Sequence, residues 1–195
     1  MKIGITGGIG CGKSTVCKVF ELLKIPVFYA DDVAKNIMNT DNNLKQSVIK
    51  EFGSRSYSED GLLNRKYIAD IVFKNAERLA VLNSLVHPVV FKAFDSWQSQ
   101  QSAPYIIKEA ALLFESESHK MCDYSILVEA PHALKVKRVM DRDHLTADEV
   151  ELRMAKQFTD AQKRALADFV LLNDEKHLLI TQVLSLHQRI LSLLP

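Results

Sequence analysis

The stretch Gly7-Gly-Ile-Gly-Cys-Gly-Lys-Ser-Thr15 has the residue types and spacing of a phosphate cradle, Gly-x-x-x-x-Gly-Lys-Ser. Glycines let a backbone curl so that successive N–H groups converge on anionic oxygens, and a following helix adds partial positive charge. Gly8, Gly10, Cys11 and Gly12 are the expected backbone ligands of ATP. Lys13 is expected to bridge the β- and γ-phosphates, Ser14 to ligate Mg²⁺, and Thr15 to donate to the α-phosphate. Such a loop holds a nucleotide; other residues decide what happens to it.

Asp31 and Asp32 follow Val27-Phe-Tyr-Ala30, where a strand is expected to end, and ligands of open parallel sheets gather at the carboxyl ends of strands. A carboxylate there can take the proton of a hydroxyl attacking the γ-phosphate. It can equally cap a helix from Val33 onward, or hold Mg²⁺ through water. The neighbours also fit a division of labour, Asp31 as base and Asp32 as cap. Glu115 fits two roles, orienting a pocket or pairing with a cation.

The elements that must position these residues follow from the apolar pattern. Short apolar runs at Lys2–Thr6, Ile25–Tyr29, Tyr105–Lys108, Ser125–Glu129 and Phe169–Leu172 alternate with helical patterns, the signature of a parallel sheet buried on both faces. The spacing predicts a first helix from Gly12 to Leu23, a capping-box helix from Thr146 to about Phe158, and a last helix from about Asp174 to Leu193. The fold class is therefore α/β, a three-layer P-loop architecture on a five-stranded parallel sheet. The core is expected at about residues 1–31, 104–137 and 165–195. A helical insertion is expected over about 32–103, and the charge-dense segment 138–164 is either a lid whose arginines close on phosphates or a solvated helical pair.

Composition narrows the classes. The 195 residues carry a net charge of +1 and are 47% hydrophobic, which suits a packed domain and argues against a general nucleic-acid binder. No apolar run is long enough to span a membrane, and Met1-Lys2 leads straight into the first strand, so a cytoplasmic protein with reduced thiols is expected. Cys11 reads as a small space-filler, or as a thiolate favoured by the helix dipole. An Asn-Lys-x-Asp guanine reader and an Asp-x-x-Gly switch are both missing. A small-molecule kinase is the P-loop class that remains; an ATP-sensing binding module is the non-enzyme rival.

Several stretches together resemble the dephospho-CoA kinases. Ile3 to Thr15 is similar to that family's phosphate loop nearly residue for residue, and Tyr29-Ala-Asp-Asp-Val-Ala-Lys35 to its Asp-Ala-Asp-x-x-Ala-Arg segment. Phe52-Gly53, Asp60-Gly-Leu-Leu-Asn-Arg65, Val72-Phe73, Leu82-Asn83, His87-Pro88 and Leu112-Leu113-Phe114-Glu115 follow in order, then Arg138, Arg142, Gln157, Ala167-Asp168 and Asn173. The resemblance implies ATP-dependent phosphorylation of the ribose 3′-hydroxyl of dephospho-CoA, with Mg²⁺, by a monomer or small homo-oligomer. It also implies a helical substrate-binding insertion and a lid. Carried over, Asp31 is the catalytic carboxylate, Lys13 and Arg142 act on the ATP phosphates, and Arg65, His87 and Glu115 lie on the substrate side. The chain departs from the pattern at Tyr29, Lys35, Ala111 and Lys135, where the family usually has Asp, Arg, Pro and Gln. Another nucleoside or nucleotide kinase is the enzymatic rival, since related kinases share core and lid.

Overall fold

The computed structural model describes residues 1–194. Five short strands form one sheet: β1 (Lys2–Thr6), β2 (Val27–Tyr29), β3 (Ile106–Glu109), β4 (Tyr124–Glu129) and β5 (Phe169–Leu172). Their order is β2-β3-β1-β4-β5, and every pairing is parallel. The helices are α1 (Lys13–Leu22), α2 (Ala30–Thr40), α3 (Asn42–Phe52), α4 (Arg65–Val72), α5 (Ala76–Gln98), α6 (His132–Asp143), α7 (Ala147–Met154), α8 (Asp160–Leu166) and α9 (Leu179–Leu191). None is long and apolar enough to cross a membrane.

The chain divides into two compact units, residues 1–29 with 101–195, and residues 30–100. In the first, a parallel sheet needs cover on both faces, which is why its strands are nearly continuous in apolar residues. Ile3, Ile5, Ile107, Ile126, Val128, Phe169 and Leu171 share one buried cluster with Val16 and Phe20 of α1 and with Val183, Leu186 and Ile190 of α9. At Gly4 a Cβ would stand 2.6 Å from Leu113 Cδ2, so the segment after β3 packs close against the bare backbone there and a side chain would make Leu113 shift. At the sheet's margin, Asp168 accepts from Ser125 N and Oγ at 2.8 and 2.7 Å, fixing where β4 and β5 begin.

The second unit is helical throughout, apart from an isolated bridge between Tyr57 and Leu63. Asp41, Asn64 and Asn75 cap α3, α4 and α5 through their side chains, which sets the three starts. Val48, Phe52, Ile68, Val72, Val86, Val90 and Phe94 are buried. Asn39 Oδ1 accepts from Leu63 N at 2.8 Å, and the Tyr67 hydroxyl donates to Phe52 O at 2.9 Å.

Three helix boundaries differ from the sequence expectation, each for a local reason. α2 starts at Ala30, so neither Asp31 nor Asp32 is a cap; both sit in its first turn, where the dipole favours anions. The helix from Thr146 stops at Met154, and a second capping box at Thr159 and Gln162 starts α8 afresh. The last helix begins only at Leu179, because Asp174 folds back on the amides of Lys176 and His177 and Glu175 adopts a left-handed φ of 65°.

Candidate active site

The phosphate loop leaves the central strand and enters α1 at Lys13. Gly10 and Gly12 take φ of 81° and 91°, which disfavours any side chain, and a Cβ on Gly10 would stand 2.4 Å from Lys135 O. Cys11 N donates to Gly8 O at 3.1 Å, and Lys13 Nζ donates to Gly7 O at 3.0 Å, so the ammonium lies over the start of the loop. Ser14 and Thr15 are exposed in the first turn of α1. The hydroxyls therefore lie at a helix N-terminus, the setting in which a Ser ligates Mg²⁺ beside nucleotide phosphates.

Of the two readings of Cys11, the structure supports the space-filler. Cys11 is fully buried in the core cluster, and burial pushes its thiol pKa up despite the nearby Lys13. It is a packing residue whose backbone shapes the loop.

Residues from α6, the α7–α8 connection and the β5–α9 turn hold the loop, and these are the ones sequence reasoning left without roles. Lys135 is 7% exposed and pairs with Asp160; the Lys135 ammonium is 3.3 Å from where a Cβ on Gly8 would be. Gln157 Oε1 accepts from Ile9 N at 2.9 Å. Asn173 Nδ2 donates to Cys11 O at 2.9 Å. Arg138 Nη1 donates to Asn173 O at 3.3 Å and to Gly10 O at 3.5 Å, and Nη2 pairs with Glu175. Arg138, Gln157 and Asn173 stood in the family resemblance, which was the available signal; nothing in their spacing brings them to the loop.

The other expected residues are placed as follows. Arg142, at the end of α6, lies on Asp143 through Nε and Nη2 at 2.7 and 3.0 Å, and Arg153 shares that carboxylate. The Arg142 guanidinium holds the Asp143 carboxyl below the usual carboxylate range. The bonds of Arg142 thus stay within the α6–α7 region, and Arg138 is the arginine that reaches the loop. Glu115 does pair with a cation: Oε1 lies 2.9 Å from the fully buried Lys163 and also accepts from Phe158 N at 2.8 Å. Asp31, Arg65 and His87 belong to the second unit. Asp31 and Arg65 are exposed in the first turns of α2 and α4, and His87 on α5 has its ring 5.9 Å from that of Phe91. Among the described residues no group of three or more His, Cys, Asp or Glu side chains is arranged to hold a metal ion.

A glycine loop between the middle strand of a parallel sheet and a helix N-terminus, with Lys13 over it, defines a P-loop nucleotide-binding protein of the kinase type. The chain belongs to the dephospho-CoA kinase family, whose model matches residues 1–178. A dephospho-CoA kinase of Salinibacter ruber is 39% identical over 175 residues, 88% of each chain. A Thermus thermophilus protein of known crystal structure superposes with a TM-score of 0.86 at 32% identity, over 100% of this chain and 98% of that one. The dephospho-CoA kinase of Campylobacter jejuni gives 0.70 at 27% identity over 98% of each.

Proposed function

We propose that the protein transfers the γ-phosphoryl group of ATP to the ribose 3′-hydroxyl of dephospho-CoA, giving coenzyme A and ADP in the cytoplasm. Family membership over residues 1–178 supports this substrate over another nucleoside or nucleotide, and over an ATP-sensing module. The structural observation that carries the mechanism is Asp31, an exposed carboxylate directly after β2, with no ion pair among the described residues. Its neighbour Asp32 is neutralised by Lys35 at 2.7 Å, which leaves Asp31 as the carboxylate available to take a proton.

In this reading the loop amides of Gly8 and of Gly10 to Thr15, with the Lys13 ammonium, hold the triphosphate and spread the charge that builds on the transferred group. Ser14 would hold Mg²⁺, which when bound neutralises charge between the β- and γ-phosphates. Asp31 orients the 3′-hydroxyl and accepts its proton. Within residues 138–164 the stretch that carries Arg142 acts as a lid in which Arg142 exchanges Asp143 for phosphate, excluding water that would otherwise take the phosphoryl group, while the chain at 157–163 stays tied to the core. Arg65 and His87 are assigned to the substrate side, whereas Glu115, held by Lys163 and Phe158 N, positions the chain behind the loop. The test is ATP plus dephospho-CoA with mass detection of coenzyme A and ADP, beside AMP, adenosine and shikimate as acceptors. Consumption of any of these three in preference to dephospho-CoA would overturn the assignment.

A further inference from the structure

Gln157 bonds to a phosphate-loop amide and has one half of its own amide left over. A carboxamide has one acceptor oxygen and one NH₂ group on opposite branches, so which branch meets a backbone N–H is decided by chemistry. Ile9 N can only donate, so Gln157 meets it with Oε1, at 2.9 Å, and its NH₂ must occupy the other branch. That NH₂ donates no hydrogen bond to any of the described residues.

The position of Ile9 says which phosphate that NH₂ serves. Lys13, whose ammonium serves the β- and γ-phosphates in such loops, places Nζ 3.0 Å from Gly7 O, which marks the beginning of the loop as its γ end. Ile9 is two residues further on, whereas the amides at the start of α1 lie at the other end.

The backbone that carries Gln157 is pinned. Gln157 N donates to Met154 O at 3.0 Å and Phe158 N to Glu115 Oε1 at 2.8 Å. Glu115 is paired in turn with the buried Lys163, which also donates to Ala111 O. Ala111 O accepts from Thr6 Oγ1 at 3.3 Å, immediately before the loop. The chain at 157–158 is thus tied to the end of β1 through the buried Lys163, and a donor held in this way costs little reordering when charge develops.

We infer that Gln157 is a γ-phosphate ligand, its Oε1 fixed on Ile9 N and its NH₂ donating to an oxygen of the phosphoryl group that is transferred. This rests on reading Gly7–Thr15 as the ATP loop. The alternative is a latch, in which the side chain occupies an amide that phosphate must win back.

Gln157→Ala separates the two roles, since losing a ligand weakens ATP binding whereas losing a latch tightens it; Gln157→Glu keeps the bond to Ile9 N and removes the donor. Wild-type protein, Gln157→Glu and Gln157→Ala are compared for ATP and ADP affinity by calorimetry, for kcat, and for thermal midpoint. The expected result for Gln157→Glu is an unchanged midpoint, ADP affinity within about threefold, and ATP affinity and kcat together lowered about 10- to 100-fold, the range for losing a bond to a charged group. Gln157→Ala, which does not depend on tolerating a new charge, should also lose ATP over ADP. Wild-type ATP parameters in Gln157→Glu, or tighter ATP binding by Gln157→Ala, would overturn the inference. The ATP-to-ADP comparison needs no acceptor, so it stands apart from whether wild-type protein phosphorylates dephospho-CoA.

Discussion

Lys163 is fully buried with its ammonium 2.9 Å from Glu115, whose second oxygen, Oε2, is buried with no hydrogen-bond partner. A carboxylate in that setting is satisfied on one side only, so it depends on the lysine. Lys163→Met should therefore destabilise the fold by about 3–5 kcal/mol, the cost of stranding one buried charge. Lys163→Met combined with Glu115→Gln should recover a good part of that loss. Urea unfolding of both variants checks this, and equal midpoints for wild type and Lys163→Met would show that the pair is not a stability element.

Asp31→Asn keeps the size of the side chain and removes its basicity. Turnover should fall by roughly 10²–10⁴-fold, the range for a positioned general base, with ATP affinity little changed. The measurement is ADP release with dephospho-CoA, next to calorimetric ATP binding. Near-normal turnover would return Asp31 to the role of a first-turn anion on α2.

Two glycines of the loop should respond differently to a single methyl group. At Gly10 the φ of 81° and Lys135 O at 2.4 Å oppose a Cβ, and the opposing atom is backbone. At Gly8 the nearest atoms are the ends of two side chains, Lys135 Nζ at 3.3 Å and Asp160 Oδ1 at 3.4 Å, which can shift. Gly10→Ala should cost more than the roughly 1–3 kcal/mol of a strained backbone position, and Gly8→Ala clearly less. Thermal melts of the two variants decide it; the reverse order would contradict the loop geometry.

The thiols make stability sensitive to alkali. Burial raises the pKa of Cys11 above its ordinary value of 9.0, and raises that of Cys122 to about 11. The folded chain then keeps these thiols protonated while the unfolded chain ionises above about pH 9, so their contribution is complete below pH 9 and is lost as pH rises beyond it. Each thiol that stays protonated contributes a slope of about 1.4 kcal/mol per pH unit in that window. Urea midpoints at pH 8 and pH 10.5 should diverge, and Cys11→Ala should narrow the gap. An unaltered gap in Cys11→Ala would mean that Cys11 does not share the burial described.

The strands and the loop were legible because both are short-range signals: apolar runs of strand length, and glycines whose spacing has a steric reason. The capping box at Thr146 is readable for the same reason, whereas the box at Thr159 carries Gln162 in place of an acid and lies just beyond the helix expected to end at about Phe158. Asp174 was taken as helix because its sequence neighbours do not reveal that its carboxylate turns back on Lys176 and His177. The partners of the loop were hidden for a different reason. Gln157 is separated from Ile9, Asn173 from Cys11 and Arg138 from Gly10 by most of the chain, and no local pattern encodes a contact across that distance. Arg142, catalytic by resemblance, pairs here with Asp143, its sequence neighbour, a contact compatible with lid closure.

The central place of β1 also sets the order in which the molecule can come into being. Ile3 is paired with Ile107 on one side and with Tyr124 on the other, so β1 waits for partners made about a hundred residues later. Contacts this remote in sequence close slowly, because the entropy of a long loop is lost before any pairing is gained. The helices of residues 30–100 have their partners close by in the chain and can form first. Nucleotide, which needs the loop after β1, can therefore help to stabilise the protein only once β3 and β4 have been made.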